Sequence, residues 1–408
     1  VVAIQYTNGR NYQTLRRIAK VSNIGRTNFN GGEFTPKLDV GVRIEKYVSG
    51  CRRLENMIPT VYGVTTRRPG TELIVAGNGA ACYYELTPDP AKIGITTVTE
   101  LALIGNDGAY PLDGDYELLN NLDLDVAPYN TGTGWPGIGG VFNGGSEFEG
   151  TFNGNYFTIS NMFIDRAVDG YGLFRAVRTK SASVATVSNL RVDDANLTVA
   201  GFSGVMYGQG GTTAAHPEPV FTNCYVSGSI TGAGTFLQTG GFTGNTSATH
   251  IRCAAEVTLD RNGRPFGNLG GFAGTNDGIY TDCYATGGIT GATSLNIAAG
   301  GFGASLNGTH TNCYVTGLND VVDQPQDCGG FLGDGGTTSD CFWDTEVTTQ
   351  DTDYAGATGK TTAQMYAQAT FTNWDFDDVW EIDEGSDYPR HQWSSETNIK
   401  IHCQAVIT

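Results

Sequence analysis

Five cysteines, Cys224, Cys253, Cys283, Cys313 and Cys341, stand 29, 30, 30 and 28 residues apart. A second marker keeps the same step: the phenylalanines of Gly-Gly-Phe fall at Phe242, Phe272, Phe302 and Phe331, spaced 30, 30 and 29, and Phe174 and Phe202 read as weaker earlier copies. Two registers with one period identify an internal repeat, and a repeat of this length restricts the fold more than any other feature of the chain. Four of the cysteines follow a small polar pair, Thr222-Asn223, Thr281-Asp282, Thr311-Asn312 and Ser339-Asp340. The same slot reads Ser160-Asn161-Met162 and Ser188-Asn189-Leu190, so the cysteine position accepts Met and Leu. An inward apolar position explains that exchange; a metal ligand does not.

Each repeat holds two or three strand-like bursts separated by glycine, of which the chain has 58, and shows almost no helical pattern. No coil of this kind buries its inner face alone, so the expected fold is all-β: a parallel β-helix, right-handed by the general preference of parallel crossovers, with coils of ~30 residues stacked ~4.8 Å apart. The Phe and Cys positions then form two ladders. A propeller needs longer blades than 30 residues, and a two-sheet sandwich needs no such regular period.

The layout follows. Residues 1–80 form an extended N-terminal arm with one short helix expected around Tyr12 to Lys20; residues 92–345 form the solenoid; residues 346–408 form a loop, a short helix capped by Thr361 and an aromatic C-terminal cap. Trp374, Trp380 and Trp393 in this last part are expected to close the open end of the stack, whose strands would otherwise be unpaired.

Charge divides the chain at the same boundary. Residues 1–80 hold twelve Lys or Arg against five acids, whereas the remainder holds twelve against thirty-seven. The acidic body repels nucleic acid, which excludes a specific nucleic-acid partner, and the basic arm suits an acidic protein surface. No apolar run approaches the ~18 residues of a membrane span, and Val1 to Arg17 lacks the long apolar stretch of a secretory signal. In the arm, Phe29, Phe34, Leu38, Tyr47, Leu54, Met57 and Ile58 are too dispersed to bury one another. They need another surface, either a partner's or the solenoid's own first coil.

Two resemblances add to this reading. Trp135-Pro136-Gly137-Ile138-Gly139, Phe148-Glu149-Gly150-Thr151-Phe152-Asn153-Gly154-Asn155 and Gly172-Leu173-Phe174, with Cys341-Phe342-Trp343-Asp344 and Trp374 to Arg390, resemble the GLUG repeats of bacterial surface proteins and some secreted peptidases over about residues 93–393. That resemblance implies a stalk or binding surface. In the arm, Phe29-Asn30-Gly31-Gly32-Glu33, Gly50-Cys51-Arg52-Arg53-Leu54-Glu55-Asn56 and Arg67-Arg68-Pro69-Gly70-Thr71 are similar to the start of bacteriophage tail stabilisation or nozzle proteins, virion components near the neck and tail. The resemblance implies an assembly interface made of Arg26, Phe29, Asn30, Gly31, Gly32, Glu33, Arg52, Arg53, Arg67, Arg68, Pro69 and Gly70, and a homo-oligomer docked on other phage structural proteins.

Catalytic signals are thin. Asp193-Asp194, Asp344 with Glu346, Asp351 with Asp353, and Asp375 with Asp377-Asp378 are carboxylate pairs of the kind glycosidases use, but none recurs at matching phase in successive coils. The histidines make no metal-binding or triad spacing; His250 and His310 share a repeat phase and are expected to face outward beside buried thiols. Gly356 to Thr361 lacks the first glycine of a phosphate loop, and residues 344–353 suggest calcium by composition alone. The expected protein is therefore a non-enzymatic, cofactor-free structural component of a phage virion, attached at the neck, tail or shell through its arm. The alternative is a surface adhesin or a protein that binds a host glycan or receptor, with a polysaccharide-degrading enzyme as a third class.

Overall fold

The computed structural model describes residues 89–395, apart from 168–169, 181–182, 213–215, 264–265, 293–296, 305 and 322–327, together with the strands Val42–Arg43, Arg67–Arg68, Glu72–Leu73, Ala80–Tyr84 and Ile401–Ala405. The helix expected around Tyr12 to Lys20 lies outside the described residues. Two compact units partition the chain: Pro90–His391, and Val1–Asp89 with Gln392–Thr408.

The unit Pro90–His391 is a parallel β-solenoid. One inward ladder pairs Ile93 with Tyr116, Tyr116 with Phe152, Phe152 with Val187, Val187 with Phe221, Phe221 with His250, His250 with Tyr280 and Tyr280 with His310. A second runs through Ile159, Val192, Val226, Ala255, Ala285, Val315 and Trp343. The predicted phenylalanine ladder exists as a ring stack. Phe242, Phe272, Phe302 and Phe331 follow one another at 4.7, 4.8 and 5.1 Å between centroids, and each meets the neighbouring His or Tyr column edge-on. The Gly-Gly before each Phe has a steric cause. A Cβ on Gly271 would sit 2.1 Å from the carbonyl oxygen of Gly301 one coil on, so only glycine lets the turns stack this closely.

The corner ahead of the cysteine column explains the polar pair. Asn189, Asn223, Arg252, Asp282, Asn312 and Asp340 all have φ between 52° and 54°, the left-handed region in which Asn and Asp are favoured among residues with a side chain. Asn223 Nδ2 donates to Asn189 Oδ1 at 2.9 Å, and Asn312 Nδ2 to Asp282 Oδ1 at 3.1 Å, so the corners are bonded coil to coil. The residues that follow, Leu190 and the five cysteines, are buried, and the cysteines are free thiols.

Three assignments shift: Phe174 by one residue, since it pairs with Tyr207 and Tyr207 with Thr243, and two others by a strand. Leu190 does stand opposite Cys224, but Phe163 pairs with Asn196, which places Met162 beside Ala195 and in another column. Likewise Phe202 pairs with Gln238, and the residue level with Phe242 is Met206, whose N–H donates to the Phe242 carbonyl.

Both ends of the stack are covered, the last by the expected C-terminal cap, though by its loop rather than by its tryptophans. At the first coil, helix α1 (Val98–Leu103) starts at a capping box between Thr97 and Glu100 and drops Leu101 into the core. At the last coil the loop 346–360, together with the short helix α2 (Thr345–Thr348), forms the cover: Ala355 and Ala357 pack on the core, Leu332 N–H donates to Asp353 Oδ1 and Gly330 N–H to the Thr352 carbonyl. Helix α3 (Thr362–Met365) is capped by Thr361 as expected, and is one turn long.

The tryptophan segment therefore does not close the end. It lies along the flank, because Trp380 sits 6.1 Å from Tyr284 and 6.0 Å from Tyr314, and Trp374 lies 6.1 Å from both Tyr314 and Phe342. Tyr284, Tyr314 and Phe342 occupy three successive rungs on the outer side of the sheet, where a row of aromatics would otherwise meet water.

In the second unit, Ile401–Ala405 pairs antiparallel with both Ala80–Tyr84 and Val42–Arg43, and Arg67–Arg68 pairs antiparallel with Glu72–Leu73. The turn signal Pro69-Gly70 falls between the latter two strands.

Candidate functional site

Of the twelve residues expected to form the assembly interface, Arg67 and Arg68 lie in a described strand, opposite Leu73 and Glu72. Arg26, Phe29, Asn30, Gly31, Gly32, Glu33, Arg52, Arg53, Pro69 and Gly70 lie outside the described residues.

Several of the candidate carboxylates, Asp193, Asp344, Asp353 and Asp375, are engaged in structural bonds. Asp344 Oδ1 accepts from the Glu346 and Val347 N–H groups at the start of α2 while its Oδ2 accepts from the Tyr388 hydroxyl at 2.7 Å. Asp353 Oδ2 takes the N–H groups of Ala355 and Ala357, Asp375 Oδ1 those of Asp377 and Asp378, and Asp193 pairs with Arg191 at 3.4 Å. A carboxylate whose lone pairs fix a turn is poorly placed to act as acid or nucleophile. The buried acid Glu147 pairs with Arg178 at 3.2 Å and Lys180 at 2.6 Å. Burial acts to raise its pKa, but hydrogen bonds and the Lys180 and Arg178 charges hold it below the usual carboxylate range.

The histidines correct the sequence reading. His250 and His310 point inward, fully buried, stacked on either side of Tyr280 at 4.7 and 4.9 Å. His250 Nε2 is 2.8 Å from the Tyr207 hydroxyl, and His310 Nδ1–H donates to the Thr337 carbonyl. Burial lowers the pKa of both to about 4, which keeps them neutral core rings. Among the described residues no group of three or more His, Cys, Asp or Glu is arranged to hold a metal ion.

What the solenoid offers instead is a face. The inward ladder Phe152 to His310 turns its flanking residues outward in two ranks. One runs Thr151, Thr186, Val220, Thr249, Ile279, Thr309, Thr337; the other runs Asn153, Ser188, Thr222, Ile251, Thr281, Thr311, Ser339. Over these seven rungs neither rank contains a charge, although the chain carries −18 overall; one rung earlier the same ranks hold Asp115 and Glu117, and the Thr151 hydroxyl donates to Asp115 Oδ1 at 2.7 Å. Ile279 is 51% exposed and is the most exposed large apolar side chain among the described residues. The hydroxyls of Thr186, Thr222, Thr249, Thr281, Thr309 and Thr311 make no side-chain hydrogen bond within the described residues. Half of this face is visible in the sequence as the Thr or Ser two residues before four of the five cysteines, where it reads as a turn marker; before Cys253 the position is Ile251. The legible signal for the whole face is the alternation Thr-x-Thr around an inward aromatic, as in Thr309-His310-Thr311.

No family model matches the chain. A stretch of 136 residues is 32% identical to halomucin of Haloquadratum walsbyi, covering 32% of this chain and 1% of that protein. A crystal structure of a "putative immunoglobulin A1 protease" from Bacteroides ovatus matches with a TM-score of 0.52 at 17% identity, over 75% of this chain and 94% of that one. What the two structures share is the fold. The chain folds as a β-solenoid, and among the described residues no helix is long and apolar enough to cross a membrane.

Proposed function

We propose that this is a non-catalytic surface protein that holds a rigid solenoid away from its attachment point and binds a receptor or glycan through the solenoid's side. The reading is carried by the outward face, on which the hydroxyls of Thr186, Thr222, Thr249, Thr281, Thr309 and Thr311 have no partner within the described residues, in a chain whose candidate carboxylates Asp344, Asp353 and Asp375 are occupied in turns. The resemblance of residues 93–393 to GLUG repeats supports the same role. Binding of the purified full chain to intact bacterial cells, before and after removal of their surface polysaccharide, tests it. Binding that depends on the polysaccharide or on a surface protein supports the reading, and failure to bind any cell surface refutes it.

A second reading, a phage virion component near the neck, tail or shell, is favoured by one observation: the arm motifs Phe29 to Glu33, Arg52 to Asn56 and Arg67 to Thr71 fall in one basic segment. In this reading the arm docks on other virion proteins in several copies. Particles assembled with a chain lacking residues 1–80 would omit the protein, while the body keeps its β-sheet signal; incorporation without the arm refutes the virion anchor.

A further inference from the structure

We infer that the two-rank threonine face binds a neutral, extended polysaccharide chain lying along the solenoid axis, which names the ligand class for the binding role proposed above and rests on that reading. The shape of the face selects the occupant. Seven rungs from Thr151 to Thr337 at ~4.8 Å give a strip about 30 Å long, and two alternate residues of one strand make it only about 7 Å wide. Such a strip covers roughly 200–300 Å², well short of the ~800 Å² per partner of a stable protein interface, so neither a second copy nor a folded receptor is held by it alone. A linear polymer needs no more width than this.

Charge selects the chemistry. The seven rungs carry no ionisable side chain, whereas Asp115 and Glu117 stand one rung before them and Asp282 and Asp340 along their edge, so nucleic acid and acidic glycans are repelled by the surroundings and find a single edge cation, Arg252. Hydroxyls that both donate and accept, set beside the methyl groups of Thr, Ile and Val, match the alternating hydroxyl and C–H surface of a neutral sugar chain. The corner column edges the strip with the amides of Asn189, Asn223 and Asn312 and with the charged side chains of Arg252, Asp282 and Asp340. With no aromatic platform in either rank, each rung contributes weakly and affinity grows with the number of rungs engaged.

Affinity electrophoresis of the full chain in gels containing a neutral β-glucan, mannan or dextran, or acidic polygalacturonate, tests the inference. At least one neutral polymer is expected to retard the protein and polygalacturonate is not. The double variant Thr281→Arg with Thr311→Arg is expected to weaken that retardation at least tenfold with an unchanged circular-dichroism spectrum, whereas Val141→Arg, at an exposed position off the face, leaves it intact. Retardation by none of the neutral polymers, preference for polygalacturonate, or equal retardation of the double variant overturns the inference. If the double variant still binds cells as the parent does, the ligand assignment fails while the surface-binding role stands; cell binding that survives periodate and is lost to protease points to a protein partner and has the same consequence.

Discussion

The indole Nε1–H of Trp380 donates to Oδ1 of Asp282 across 3.3 Å, joining residues 98 positions apart in the chain. Asp282 is a left-handed corner of the solenoid, and beside it His391 Nε2–H donates to the Asp282 carbonyl at 2.7 Å. The C-terminal segment is thus fixed to the flank of the coils by hydrogen bonds as well as by ring contacts.

Trp380→Ala removes a fully buried indole and should lower stability by about 3–5 kcal/mol. Because the ladders lie on the other side of the sheet, the variant should keep its far-ultraviolet β signal at room temperature and melt earlier. A melting temperature equal to the parent's would show that the flank segment contributes nothing to the stack.

Acid should unfold the protein through its histidines. His250, His310 and His391 have pKa values lowered to about 4 by burial, against about 6.5 in an unfolded chain. A lowered value favours the neutral form in the fold, so the stability is fully present above pH ~6.5 and is lost as pH falls from there toward 4, at about 1.4 kcal/mol per pH unit for each histidine. Urea midpoints measured across that range should fall steeply, and His250→Phe, which keeps the ring stack with Phe221 and Tyr280, should flatten the slope. A pH-independent midpoint contradicts the inward placement.

Cys224, Cys253, Cys283, Cys313, Cys328 and Cys341 are buried free thiols. Burial and close stacking hold the Cys283 and Cys313 thiols well above their usual pKa, which suppresses the reactive thiolate. Ellman's reagent should leave these six unmodified in the native protein and titrate them after denaturation without reductant. Disulfides or stoichiometric zinc at these positions would contradict the column.

Asn312 combines φ of 54° with a side-chain bond to Asp282. Asn312→Ala should cost about 1–2 kcal/mol for the left-handed backbone and about 1 kcal/mol for the lost hydrogen bond. Asn312→Gly should recover the backbone part alone, so the order of stability is Asn, Gly, Ala, read from chemical denaturation.

The period of the Cys and Gly-Gly-Phe markers determined the parallel solenoid, the inward thiols and the inward phenylalanines, because stacked coils repeat the same environment at the same position and select the same small set of residues there. Thr361 likewise announced the helix it caps. The histidine direction was hidden, since His250, Tyr280 and His310 share one inward column whose character is set by ring stacking and not by polarity. Met162 and Phe202 were misplaced for a different reason. The ladder steps from Tyr116 to Phe152, Val187 and Phe221 are longer than the 30 residues between His250 and Tyr280, so extra residues in early loops shift any alignment based on a constant period. The docking of Trp374 and Trp380 on the flank, and the joining of Thr and Ser residues into one face, depend on which residues become neighbours when coils far apart in sequence stack. That adjacency is fixed by inter-coil hydrogen bonds, which no local pattern encodes.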